Sequence, residues 1–171
     1  MSDTAQSFPT RVDISLTVNG EPVDARVDVS RHLVDFLRLD LGLTGAHAGC
    51  EHGVCGACTL QVNGEIVRGC LMLAAQLDGA EVWTVEGLTE TGALADLQAA
   101  FVERNALQCG FCTPGMLFAA ADILGQGGQP SREEIREHIS GNYCRCTGYE
   151  AVVDAIETVA GARTRAEEVS A

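Results

Sequence analysis

The sequence predicts an α+β chain: a small β-sheet unit carrying one helix, followed by a unit built of helices alone. Three observations predict it. Two Asn-Gly pairs, Asn19-Gly20 and Asn63-Gly64, each lie between short runs of alternating or β-branched apolar residues, the short-range signature of a β-hairpin. Past Gly87 the apolar residues recur at the spacing of a helix face instead. Eight cysteines fall into two sets of four, one set in each half, with none left over.

Residues 1–10 are polar and are expected to be disordered. From Arg11 to Val18, Val12, Ile14, Leu16 and Val18 alternate to one side of a strand, and Glu21 to Val29 returns from the Asn-Gly turn. Pro22 stands at the start of that return, where a missing N–H is tolerable. Ser30 is read as the cap of a helix over 31–41 with Leu33, Val34, Leu37 and Leu41 on its apolar face, stopped by Gly42. A glycine-rich loop runs over 44–58. Thr59–Val62 and Glu65–Val67 form the second hairpin, which carries the chain back to Cys70, and a short helix over 71–76 and a strand over 81–85 complete the unit.

The helical half opens with a helix over 91–105, whose Leu94, Leu97, Ala100 and Phe101 share one face. Pro114 fits the first turn of the next helix, which buries Met116, Leu117, Ala120 and Leu124 and ends at Gly125. Ser131 with Glu134 reads as a capping box for a third helix ending at Gly141-Asn142. A fourth helix is expected over 151–159, followed by a frayed, charged tail. The division that results is 1–10 disordered, 11–86 sheet unit, 87–163 helical unit and 164–171 flexible tail.

Spacing decides what the thiols are for. The first set, Cys50, Cys55, Cys58 and Cys70, is C-x4-C-x2-C with the fourth thiol returning after the hairpin, which is the plant-type [2Fe-2S] spacing. The second, Cys109, Cys112, Cys144 and Cys146, pairs a C-x2-C with a C-x-C. The start of the chain has no basic and apolar leader, and close thiol pairs suit chelation better than disulfides. Zinc is the stronger rival, because tetrahedral thiolate sites accept either metal. Zinc knuckles, however, contribute ligands two by two, whereas three thiols of the first set share one loop studded with Gly49, Gly53 and Gly56. Glycine lets such a loop curl and aim N–H groups at an anionic cluster. The second set, taken alone, is ambiguous between the two metals. It lies at two helix junctions, which an antiparallel four-helix arrangement can bring to the same end of the bundle.

Composition excludes other classes. With 11 basic against 24 acidic residues the formal charge is −13, so a phosphate backbone would be repelled and nucleic acid is not an expected partner. No apolar stretch approaches the length of a membrane span, so no direct membrane insertion is expected. The expected compartment is the cytoplasm, with export alongside a signal-bearing partner left open.

Three stretches carry a family resemblance: Gly49-Cys50-Glu51-His52-Gly53-Val54-Cys55-Gly56-Ala57-Cys58-Thr59, Gln108-Cys109-Gly110-Phe111-Cys112-Thr113-Pro114-Gly115-Met116, and Asn142-Tyr143-Cys144-Arg145-Cys146-Thr147-Gly148-Tyr149. In this order they resemble the small iron–sulfur subunit of the molybdenum hydroxylases, the xanthine-oxidase-like family that includes bacterial carbon-monoxide, aldehyde, nicotinate and isoquinoline dehydrogenases. The resemblance covers about residues 11–160 and fits every ligand position. It implies an N-terminal β-grasp plant-type ferredoxin domain followed by an all-α four-helix-bundle domain, each holding one [2Fe-2S] cluster. It further implies a large partner subunit with molybdenum-pterin cytosine dinucleotide and a medium subunit with FAD, in a heterotrimer or its dimer. By the same resemblance the cluster on Cys109, Cys112, Cys144 and Cys146 lies nearest the pterin, and Gln108 and Cys146 contact it. The cluster on Cys50, Cys55, Cys58 and Cys70 lies toward the flavin.

The chain itself offers no acid–base or nucleophilic pocket, so its expected role is conduction and not bond-making. The substrate, an N-heteroaromatic, aromatic or aldehyde compound, belongs to the partner. A free two-cluster electron shuttle is the alternative, and the helical half speaks against it, because a diffusible carrier needs only a cluster near its surface. His47 and His52 bracket Cys50 but are read as loop residues and not as ligands, since four thiols are already correctly spaced. Arg145, between two ligands, is open to two readings, a charge that raises the cluster potential or an intersubunit ion pair. Trp83 and Tyr149 are read as packing residues.

Overall fold

The computed structural model describes residues 8–170. Of the expected disordered start, residues 1–7 lie outside that range and Phe8, Pro9 and Thr10 are exposed. The first hairpin forms as β1 (Arg11–Val18) and β2 (Glu21–Asp28), antiparallel in the register Val18↔Glu21. Asn19 and Gly20 both take positive φ, as the type I′ turn demands. Ile14, Leu16 and Val18 are buried while Arg11, Asp13 and Ser15 face out. The second hairpin is β3 (Thr59–Val62) and β4 (Glu65–Arg68), again with positive φ at its Asn-Gly turn. A last short strand, β5 (Glu81–Trp83), enters between the hairpins, parallel to β1 and antiparallel to β3, giving the order β2-β1-β5-β3-β4.

The helix crossing this sheet departs from expectation in two ways. It starts at Leu33, as α1 (Leu33–Asp35), and continues as a π-turn over Phe36–Asp40. Ser30 does not cap it: its N–H and hydroxyl both donate to Asp28 Oδ1, closing a tight turn upstream. The Leu33 N–H, which a cap would have satisfied, donates instead to the Met72 carbonyl at 2.8 Å. Leu33, Val34, Phe36 and Leu37 are buried, so Phe36 joins the expected apolar face, whereas Leu41, expected on it, is half-buried just past the helix end. The short helix expected over 71–76 is a single 3₁₀ turn, Ala74–Gln76.

The strand expected over 81–85 stops at Trp83, and α2 (Val85–Glu90) begins two residues before Gly87. Gly87 is needed inside that helix because a β-carbon there would stand 2.4 Å from the Asn19 side chain. The rest of the helical half is α3 (Ala95–Glu103), α4 (Thr113–Gly125), α5 (Arg132–Ile139) and α6 (Glu150–Ser170). Pro114 occupies the first turn of α4. The Ser131–Glu134 capping box forms as expected, with reciprocal bonds at both ends of the motif. α6 overruns its expected end at Val159, and residues 164–170, expected as a flexible tail, continue the helix. Arg163 explains part of this, since its guanidinium makes two bonds to Asp96 at the start of α3.

Two apolar cores result, one under the sheet and one among the helices, and they are stitched together. Phe118 of α4 is buried in the core of the sheet half, while Val85 and Leu88 of α2 pack against both cores. Burying a phenylalanine contributes about 2–3 kcal/mol, so this one side chain ties α4 to the sheet.

Candidate metal centres

The first thiol loop, between the π-turn and β3, is shaped by close approaches that only glycine allows. A β-carbon at Gly49 would stand 3.0 Å from Cys55 Sγ, and one at Gly53, where φ is +83°, would strike Leu71 at 2.5 Å. The backbone N–H groups of Val54 and Cys55 point at Cys50 Sγ, at 3.3 and 3.4 Å. Donation from Cys55, with further help from His52 and Val54, lowers the Cys50 thiol to about 6. Cys58 and Cys70 lie deeper: burial pushes Cys58 up to about 11, and the adjacent Cys70 and Cys55 thiols add to the effect.

The second set gathers where the α3–α4 connection meets the α5–α6 turn. Cys109 and Cys146 are exposed, with their sulfurs 3.6 Å apart, and Cys109 raises the Cys146 thiol. Cys112 is pushed up to about 12 by burial and by the neighbouring Cys144. Burial alone would raise Cys144 too, but the hydroxyl and N–H of Thr147 outweigh it, and the thiol is lowered.

The thiols therefore stand in pairs: Cys50 with Cys55, Cys58 with Cys70, Cys109 with Cys146 and Cys112 with Cys144. Among the described residues no three His, Cys, Asp or Glu side chains converge closely enough to hold a single ion. Two pairs per site instead match a two-iron cluster, in which each iron takes two protein ligands. Two thiolates on one tetrahedral metal, with metal–sulfur bonds of about 2.3 Å, stand roughly 3.8 Å apart, close to the Cys109–Cys146 separation. Crowded thiols raised by one another ionise together only when positive charge lies among them, which bound iron supplies.

The remaining candidates are also located. Gln108 is exposed and its amide donates to the Cys146 carbonyl at 3.0 Å, so the two residues expected to face a pterin lie side by side. His47 and His52 serve the loops, as expected. The His47 ring stacks on Phe111, between Cys109 and Cys112, with centroids 4.7 Å apart, and its Nδ1 meets the Phe111 carbonyl at 2.8 Å. His52 Nδ1 bonds the Cys50 carbonyl. Arg145 is exposed, and Trp83 packs beside the Gly20 turn. Tyr149 is more than packing: its hydroxyl accepts the Cys144 N–H at 2.8 Å.

Sequence reasoning missed the joint between the two sites. The Arg68 guanidinium donates to the Thr59 hydroxyl, to the Gly141 carbonyl at 2.8 Å and to Asn142 Oδ1 at 3.3 Å. Buried Asn142 donates in turn to the Gly56 carbonyl at 3.1 Å and to Thr59. The Tyr143 N–H donates to the Cys55 carbonyl at 2.8 Å, so ligand candidates of the two sets are separated by one hydrogen bond and one residue. The three motifs expected to bind metal are thus packed directly on one another.

Known protein families match both halves of the chain. Residues 16–88 match the 2Fe-2S iron-sulfur cluster binding domain family, and residues 84–157 match the [2Fe-2S] binding domain family. The chain is 54% identical to the caffeine dehydrogenase subunit gamma of a Pseudomonas species (strain CBB1), covering 85% of this chain and 89% of that one. It is 51% identical to the nicotine 6-hydroxylase small subunit of Paenarthrobacter nicotinovorans, over 90% and 92% of the two chains. Among solved structures, quinoline 2-oxidoreductase from Pseudomonas putida 86 superposes with a TM-score of 0.85 at 50% identity, over 92% of this chain and 98% of that one.

Proposed function

The chain belongs to the small [2Fe-2S] subunits of the molybdenum hydroxylases, the xanthine-oxidase-like family, and from that premise we propose that Cys50, Cys55, Cys58 and Cys70 hold one cluster and Cys109, Cys112, Cys144 and Cys146 the other. It is an electron-transfer subunit of a larger oxidoreductase complex and performs no substrate chemistry itself. When bound, each cluster supplies a one-electron acceptor and donor, so two in series carry electrons between a partner's two-electron metal centre and a final acceptor. The observation that carries the ligand assignment is the arrangement of each set as two thiol pairs, braced by N–H donors to Cys50 and Cys144.

The exposure of the two sets supports an order for the sites. Cys109 and Cys146 are exposed, with Gln108 beside them, and offer a face to a large subunit carrying a molybdenum-pterin cytosine dinucleotide. Cys58 and Cys70 are buried, while Val54 of the first loop and Leu71, which lies against Gly53, are exposed and mark the face proposed for a medium subunit with FAD. The contact between the sites, through the Tyr143 N–H and the Cys55 carbonyl, supports conduction from the second set to the first. The names of the relatives, which include caffeine, nicotine and quinoline, support an N-heteroaromatic substrate bound by the large subunit. We further propose a heterotrimer or its dimer, and boundaries at 11–86 and 87–163 for the two cluster-binding units.

Metal analysis of the purified complex tests the ligand sets. Two clusters require about four iron and four labile sulfide per chain and two distinct paramagnetic signals on reduction. Cys55→Ala is expected to abolish one signal and leave the other. Loss of both together, or stoichiometric zinc, would sink the assignment.

A further inference from the structure

We infer that Thr147 is a positioning residue for electron transfer, whose hydroxyl, donated to Cys144 Sγ, draws the reducing electron of the second cluster toward the iron held by Cys112 and Cys144. The inference rests on the proposed ligand set. It starts from the turn over 144–149, where three hydrogen bonds leave the hydroxyl little choice. Thr147 Oγ1 lies 3.1 Å from Cys144 Sγ, and the Thr147 N–H lies 3.4 Å from the same sulfur. A hydroxyl has a single hydrogen and two lone pairs. The Tyr149 N–H donates to Thr147 Oγ1 at 3.2 Å, which occupies a lone pair and leaves the hydrogen directed at sulfur.

The turn is held in this form from both sides. The Tyr149 hydroxyl accepts the Cys144 N–H at 2.8 Å, and Tyr149 itself sits at φ +70°, a left-handed conformation that a residue with a β-carbon rarely adopts. Such strain persists where surrounding contacts impose it, and here the Tyr149 contacts hold Thr147 and Cys144 in one turn, with Thr147 against the Cys144 sulfur. A donor aimed at a ligand sulfur stabilises the more negative, reduced state and raises the potential. Because the dipole is fixed in advance, it acts without reorganisation when the electron arrives.

The two irons of this site would therefore be unequal. Cys109 and Cys146 lie exposed toward the proposed large subunit. Cys144 is half-buried, adjoins Tyr143, and through the Tyr143 N–H reaches the Cys55 carbonyl of the first set. An electron held on the Cys112–Cys144 side rests on the side facing its exit.

The test is a reductive titration of the whole complex with dithionite, followed by paramagnetic resonance. Thr147→Val keeps the size and the backbone donor but removes the hydroxyl. The potential of the helical-half signal is expected to fall, with the other signal unmoved, and Thr147→Ser is expected to restore it. The exchangeable-proton coupling of the reduced signal, read by the change in heavy water, should weaken in Thr147→Val and return in Thr147→Ser. An unchanged potential in Thr147→Val would overturn the inference. Thr147→Ala is measured alongside, and loss of the second cluster in both variants would make Thr147 an assembly residue and overturn it equally. Cys144→Ser separates the two claims: a native second signal in that variant would sink the ligand set itself, whereas a null result at Thr147 sinks only the tuning.

Discussion

A β-carbon at Gly115 would stand 2.3 Å from the Gly56 carbonyl oxygen, and backbone at that distance cannot swing aside as a flexible side chain could. In a free helix alanine outranks glycine by about 1 kcal/mol, so helix propensity recommends Gly115→Ala. Forced overpacking costs about 1–3 kcal/mol, and here it would pry α4 from the first thiol loop. Gly115→Ala is expected to lower stability by up to about 2 kcal/mol net, read by thermal unfolding at matched iron content; a stabilised variant would show that the approach is looser than described. The sequence displays Gly115 only as a glycine after a proline. Its partner Gly56, and the partners of Arg68 at Gly141 and Asn142, lie far along the chain, and no local pattern links them. The thiols were legible for the opposite reason, because their ligand spacing is local apart from the returns to Cys70 and to Cys144.

Elements were legible where the signal is local and complete. Both Asn-Gly hairpins and the Ser131 capping box form as read, since each motif satisfies its own backbone groups. Ser30 misled because the nearby Asp28 carboxylate competes for its hydroxyl and N–H, and the orphan donor of α1 is satisfied from Met72, which sequence does not place nearby. The length of α6 was hidden likewise, because the Arg163–Asp96 pair joins residues 67 apart. That pair has a pH signature. The Arg163 guanidinium holds the Asp96 carboxyl below its ordinary value, so its contribution is fully present above the unfolded value of about 4 and is lost as pH falls through the depressed folded value. Asp96→Asn should therefore destabilise α6 docking near neutral pH, and the gap from the unmodified protein should close below about pH 4. Urea unfolding of both proteins across that range, at matched cluster content, checks the sign; a gap that widens toward acid would refute it.

At the scale of the whole molecule, the two halves form one joint and not two beads on a linker. Arg68 and Asn142 bond across it, Phe118 of α4 fills the sheet core, and His47 stacks on Phe111 from the other site. A freely diffusing carrier has no need to fix one metal site against a second, whereas a conductor between two partners needs a set separation, because electron transfer through protein is sensitive to distance and to breaks in packing. The ordinary end of such a chain is a partner at each face, and the net charge of −13 argues that those faces are not nucleic acid. On the proposed order of sites, removing a ligand of the first set cuts the conductor at its exit and leaves its entrance intact. In the complete complex mixed rapidly with substrate, Cys55→Ala is expected to leave reduction of the partner's molybdenum centre and of the second cluster unchanged. Flavin reduction should fall by orders of magnitude. If the flavin is still reduced at the unmodified rate once the first cluster is gone, electrons bypass this loop and the series arrangement is wrong.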